Sequence, residues 1–169
     1  MDTRTFTQRS KPASGRQGHR RMAAGKDALQ LLRADHKRVQ SLFDDFEKAR
    51  SPDRKKQLAE EICRELTVHA QIEEEVFYPA AREVLRSDEL LNEAVVEHAT
   101  AKALIAQIEQ GDASDPLVEA RVTVLGEYVR HHVKEEHNEL FPKVRDTRLD
   151  LKALGAALEA RKAELLGEA

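Results

Sequence analysis

The sequence predicts an all-α fold: an up-down-up-down four-helix bundle with an extra C-terminal helix and a disordered basic tail at the N-terminus. Three observations predict it. Apolar residues recur every three and four positions along four long stretches, the spacing of one helix face. The breaks between these stretches are short and carry turn residues, which sets consecutive helices antiparallel. Each apolar stripe is also interrupted at a matched height by residues that do not belong there: His36, His69 with Glu73, His98, and His132 with Glu136. A histidine or glutamate on a core stripe is costly unless it is paired or bound to something.

The 169 residues suit one domain with tails. Hydrophobic residues make up 40%, enough for a core, while 35% are charged and Trp is absent. That balance fits amphipathic helices with solvated outer faces. A formal net charge of −3 argues against a nucleic-acid partner for the molecule as a whole. One cysteine, Cys63, excludes an internal disulfide and fits a reducing compartment. No apolar run approaches the roughly 18 residues of a membrane helix. The basic N-terminus has no apolar segment of the secretory kind, so the cytoplasm is the expected location.

Residues 1–26 read as the tail. They are polar and aperiodic, with seven basic residues and Asp2 as the one acid. Such a segment suits an arm for nucleic acid or an acidic partner, but a single Phe gives little to stack on bases, so a solvated tail is the preferred reading. The first predicted helix spans about Asp27 to Ala49, with Leu29, Leu32, His36, Val39, Phe43 and Phe46 on one stripe. After the Ser51-Pro52-Asp53 turn, the second carries Leu58, Ile62, Leu66, His69, Glu73 and Val76, and Pro79 should kink or end it. Ser87 or Asp88 can cap the third, which carries Leu91, Val95, His98, Ile105 and Ile108. A loop from Gly111 to Pro116 leads to the fourth, with Val118, Val122, Leu125, Val129, His132, Glu136 and Leu140, stopped by Pro142. Residues 146–169 hold the extra helix, whose weak stripe of Leu151, Leu154, Leu158 and Leu165 is expected to pack outside the bundle. The second and fourth helices also repeat one pattern, HAQIEEEVFYP and HVKEEHNELFP.

Counting from the turns sets the heights. His36 lies about 16 residues before the first turn and His69 about 17 after it. Glu73 lies about 14 before Ser87, His98 about 11 after it, and His132 about 17 into the last bundle helix. At about 1.5 Å per residue, all six fall within one or two helical turns of one layer. His69 and Glu73 share a face, being four residues apart, and so do His132 and Glu136. A rival pair, His131 and Glu135, lies on a polar stripe and is expected outside. His131, His137 and His19 then read as surface or flanking histidines, and Glu74, Glu75 and Glu135 as solvating carboxylates. Cys63 lies off the inward face.

Four imidazoles and two carboxylates in one layer satisfy one another poorly, whereas two metal ions satisfy all six. The carboxylates can bridge the ions, each of which then keeps two histidines. Mixed N/O ligation suits iron or manganese; zinc favours closed four-coordinate sites and ranks behind. Neither the Glu-x-x-His pairs of ferritin-like sites nor His-Glu-x-x-His occurs around these histidines.

Taken together, DHKRVQSLF, HAQIEEEVFYP, VVEHATAKAL and HHVKEEHNELFP resemble the hemerythrin-like HHE cation-binding domain family over about residues 27–145. The resemblance implies a four-helix bundle around an oxo- or carboxylate-bridged non-haem di-iron centre. His36 and His69 would hold one iron, His98 and His132 the other, and Glu73 and Glu136 would bridge. It also implies an interaction with O2, NO or peroxide, in sensing, scavenging or iron handling. The alternative is a di-iron enzyme with peroxidase-like or NO-reducing activity, and a plain interaction module would leave the buried histidines unexplained. A monomer or weak dimer is expected. The oxygen carriers of the family place a further histidine where this chain has Lys102, so the site is one ligand poorer. Lys102 either snorkels past the site or meets a bound anion, and Glu97 could reach in as an extra ligand although it points about 100° away.

Overall fold

The computed structural model describes residues 25–111 and 115–168; the predicted tail up to residue 24, with His19, lies outside the described residues. The described residues are helical throughout their ordered elements. Helix α1 (Ala28–Lys48) opens on a reciprocal cap: Asp27 accepts from the Gln30 backbone N–H at 2.8 Å, and the Gln30 side chain accepts from the Asp27 N–H at 3.1 Å. Ser51 caps α2 (Pro52–Ile72), which has Pro52 in its first turn, where a missing N–H costs nothing. A π turn (Glu73–Phe77) then passes directly into α3 (Tyr78–Val84). Helix α4 (Glu89–Glu109) follows, with the Ser87 hydroxyl accepting from the Glu89 N–H. Asp115 caps α5 (Pro116–Glu135), which runs through a second π turn (Glu136–Leu140) into α6 (Phe141–Arg145). Asp150 caps α7 (Leu151–Leu166), and Gly167 ends it at φ 72°, a left-handed conformation that favours glycine.

The two prolines expected to break helices do not. Proline lacks an N–H and its ring clashes with the carbonyl four residues back. Here the turn before each proline is widened, so that Tyr78 donates to the Glu73 carbonyl and Phe141 to that of Glu136, five residues back. Helix direction survives, and the inward stripe slips by one residue. Phe77 and Tyr78 are buried in place of Val76.

Helix α1 packs against α2 and α5, and α4 packs against the same two, which closes the up-down-up-down bundle. Its core has two apolar clusters. One contains Leu29, Leu32, Ile72, Phe77, Leu91, Leu140 and Phe141, and the other contains Val39, Phe43, Leu58, Ile62, Ile105, Val122 and Leu125. The polar layer lies between them. On α4 the inward phase runs through Leu91, Ala94 and His98; Val95, expected on this stripe, is exposed. Cys63 lies in the second cluster, away from the polar layer, and burial followed by nearby Glu109 and Glu60 pushes its thiol up to about 12.

Helix α7 packs on the outside of the bundle, as expected, through a buried contact. It lies on α1, α2 and the first π turn, with Leu154 and Leu158 buried in the first cluster. Gly155 permits the approach, since a Cβ there would lie 2.5 Å from the Lys26 carbonyl oxygen and 2.9 Å from the Ala28 nitrogen. Gly155→Val should therefore destabilise the fold by about 1–3 kcal/mol, the usual cost of forcing bulk into a packed contact. A thermal melt unchanged from the parent would show that α7 contributes little.

Candidate metal centre

The six inward residues form one buried layer. His36, His69, Glu73, His98, His132 and Glu136 are each between 0% and 7% exposed. His36 comes from α1, His69 and Glu73 from α2 and its π turn, His98 from α4, and His132 and Glu136 from α5 and its π turn.

Their ring nitrogens converge in two pairs. Nε2 of His36 lies 2.8 Å from Nε2 of His69, and Nε2 of His98 lies 3.2 Å from that of His132. The carboxylates span the pairs. Glu73 Oε2 is 3.3 Å from His69 Nε2 and 3.4 Å from His98 Nε2. Glu136 Oε2 is 3.3 Å from His36 Nε2 and 3.6 Å from His132 Nε2. Each glutamate thus touches one histidine of each pair. Two groups of possible ligands overlap at Glu73: His36, His69, Glu73 and Glu136, and Glu73, His98 and His132.

Hydrogen bonding within the layer is incomplete. Glu73 Oε1 and Glu136 Oε2 are buried without a hydrogen-bond partner. Converging imidazole nitrogens and unpartnered carboxylate oxygens are a donor set for a cation, which removes the cost of burying them. The set contains only N and O donors. The residues present therefore fit the borderline divalent metals that imidazole and carboxylate bind.

The electrostatics point the same way. Burial lowers the pKa of His36 despite Glu136 beside it. Burial also pulls on His69, but the carboxylates of Glu73 and Asp35 outweigh it and hold this ring up to about 10. Burial likewise opposes ionisation of Glu73, yet His69 and His98 keep it well below the ordinary carboxylate range. His132 is raised, with Glu97 and Glu136 overcoming its burial. A negative pocket that draws protons onto two of its rings, His69 and His132, is one that draws cations.

Around the layer lies a row of groups that the sequence placed at the surface, did not single out or, for Glu97, offered as a further ligand. Glu97 does not reach in as a ligand; it lies behind His132, with Oε2 2.8 Å from Nδ1. Glu74 lies 3.1 Å from His98 Nδ1, and Asp35 Oδ2 lies 3.5 Å from His69 Nδ1, longer than a hydrogen bond. His137, expected at the surface, is half-buried with Nε2 2.8 Å from His36 Nδ1. A carboxylate at Nδ1 keeps the proton there and leaves the Nε2 lone pair facing inward. Tyr78 was also missed. Its buried hydroxyl donates to Glu136 Oε1 at 3.1 Å and lies 3.4 Å from Glu73 Oε2 and 3.3 Å from His98 Nε2. Burial, then the two glutamates, raises its pKa well above the usual value, so it stays a donor. The signal for Tyr78 was present in FYP, but reading it needs the π turn.

Lys102 lines a cavity beside the layer and snorkels past the ligands. Its ammonium pairs with both oxygens of Glu74, at 2.7 and 2.5 Å, with the side chain about half exposed. His131 remains outside, 63% exposed. A small cavity of about 40 Å³ touches all four inward histidines and is walled mainly by apolar side chains, among them Val39, Leu66, Ile105 and Val129. Among the described residues no helix is long and apolar enough to cross a membrane.

Comparison with known proteins agrees with this fold. A protein described as a DNA nickase, from Nostoc sp. (strain PCC 7120), is 32% identical over 116 residues, which cover 69% of this chain and 33% of that protein. The chain thus spans about a third of the length of that relative. A crystal structure of a hemerythrin HHE cation binding domain-containing protein from Mycobacterium kansasii has the same fold, with a TM-score of 0.72 at 24% identity, covering 84% of this chain and 88% of that one. Residues 27–144 match the hemerythrin HHE cation binding domain, and the chain belongs to that family.

Proposed function

We propose that the layer holds two iron ions and that the protein is a non-haem di-iron binding protein that meets O2, NO or peroxide. His36 and His69 would hold one ion and His98 and His132 the other, with Glu73 and Glu136 shared between them. The observation that carries this reading is that the Oε2 atom of each glutamate lies within 3.3–3.6 Å of one histidine from each pair. A bridging role needs that placement, and a structural ion pair does not.

When bound, iron supplies a redox-active centre with exchangeable coordination positions. The chain's own residues do the remaining work. Glu74, Glu97 and His137 hold the rings of His98, His132 and His36 in orientation from behind, and the Asp35 carboxylate stands 3.5 Å behind His69. Tyr78 holds its proton between the two glutamates, where it can donate to an oxygen atom without leaving its place. The cavity against the histidines, walled mainly by apolar side chains with Glu97 and Lys102 also lining it, has room for a diatomic molecule. A small neutral ligand fits such a wall better than a charged one. Sensing, scavenging and iron handling all use this arrangement. A nicking activity is not part of the reading, since the chain spans only about a third of the relative so described.

Elemental analysis of the purified protein should find close to two irons per chain. Addition of NO to the reduced protein under anaerobic conditions should change its visible spectrum. Stoichiometric zinc, or a spectrum indifferent to NO and O2, would overturn the proposal.

A further inference from the structure

The residues behind the four inward histidines follow the internal repeat, with one break. The residue just before the first histidine of each helix pair backs the histidine of the second helix: Asp35 behind His69, and Glu97 behind His132. The residue just after the glutamate of each pair backs the histidine of the opposite pair: Glu74 behind His98, and His137 behind His36. Three of these backing groups are carboxylates. The fourth is an imidazole, which in its ordinary forms is neutral or cationic.

The corner with the imidazole is also the more electropositive one. The Arg33 guanidinium donates to the His137 carbonyl at 3.5 Å and lies 5.2 Å from the centre of the Phe141 ring, which stacks on His36. In the same half, the Asp35 carboxylate is answered by Lys162 at 2.6 Å. In the other half, Glu74 is answered by Lys102, but among the described residues Glu97 pairs with no lysine or arginine and meets His132, the exposed His131 and, close by, Glu135. A carboxylate that accepts the ring N–H makes the opposite nitrogen a better donor to a metal, and a neutral acceptor does so less.

We infer that His137 is a positioning residue that makes the two halves of the centre unequal, so that the His98–His132 half takes up its divalent ion first and more tightly. The inference rests on the di-metal reading above. It adds an order of loading, set by the single position where the repeat has Glu74 on one side and His137 on the other.

The test is calorimetric titration of the chelator-treated full-length protein with Fe2+ under anaerobic conditions, run on the parent, H137E, H137Q and E74Q. The parent should show two resolved steps per chain. H137E should strengthen the weaker step about tenfold to a hundredfold, the usual scale for such backing groups, and narrow the gap. H137Q supplies a neutral acceptor and should keep the gap. E74Q should narrow it from the other side, by weakening the tighter step. A purely structural role for these side chains would not move the two steps in opposite directions. If H137E does not fold, E74Q alone decides. Two steps that are equal in the parent, or a gap unchanged in both H137E and E74Q, overturn the inference while leaving the di-metal reading in place. A parent that takes up no ions overturns both.

Discussion

Glu73→Ala and Glu136→Ala should each abolish tight binding of both ions, whereas His69→Ala should weaken one ion more than the other. The difference comes from placement. The Oε2 atom of each glutamate lies against a histidine of each pair, so loss of the side chain opens both halves at once. His69 belongs to one half only. Replacing either glutamate also leaves buried imidazoles facing one another with no anion between them, at 2.8 Å on one side and 3.2 Å on the other. Removing groups behind metal ligands already costs about tenfold to a hundredfold in affinity, so loss of a shared ligand should exceed that. Metal content after gel filtration, with a melting curve for each variant, checks this. A Glu73→Ala protein that retains one tight ion would show that the carboxylate belongs to a single half.

The second large effect is on pH. In the metal-free protein His69 is held up to about 10 by Glu73 and Asp35, against the pull of burial. Its pKa is raised on folding, so its contribution to stability is complete below its ordinary 6.5 and is lost as pH rises through about 10. Glu73 acts in the opposite sense. Its pKa is depressed, so its contribution is present above 4.5 and is lost as acid protonates it. A metal ion must displace the His69 proton, so affinity should climb by up to about tenfold per pH unit below 10. The stability gap between loaded and metal-free protein should widen accordingly. Chelator competition at two or three pH values around neutrality measures the slope; a flat profile would show that His69 binds no metal or carries no proton there.

Much of this arrangement was legible in the sequence because burial and periodicity constrain the same residues. His36, His69, His98 and His132 interrupt otherwise apolar stripes, and only the inward face of a bundle gives those stripes a common centre. What escaped was whatever depends on a departure from the regular helix. Tyr78 faces the layer because the π turn before Pro79 widens the spiral, and a strict 3.6-residue period gives that place to Val76. The backing groups escaped for another reason. Asp35, Glu74, Glu97 and His137 sit beside inward residues in sequence, so a single-helix projection turns them about 100° away. They reach the layer through the neighbouring helix, and a projection of one helix does not contain that neighbour. On α4 the expected stripe ran through Val95, but Ala94 faces inward in its place.

The helix that follows the bundle changes what counts as the working unit. The family match ends at residue 144, yet Lys162 on α7 holds Asp35, which stands behind His69, and Arg161 holds Glu75 on the first π turn. A fragment cut at the family boundary would keep every inward histidine and glutamate. It would lose the brace on one of them and expose Ala28 and Leu32 where Leu154 and Leu158 now share their cluster. Anyone who transplants this centre into another scaffold, or expresses it as a minimal piece, should therefore carry the chain through Leu166.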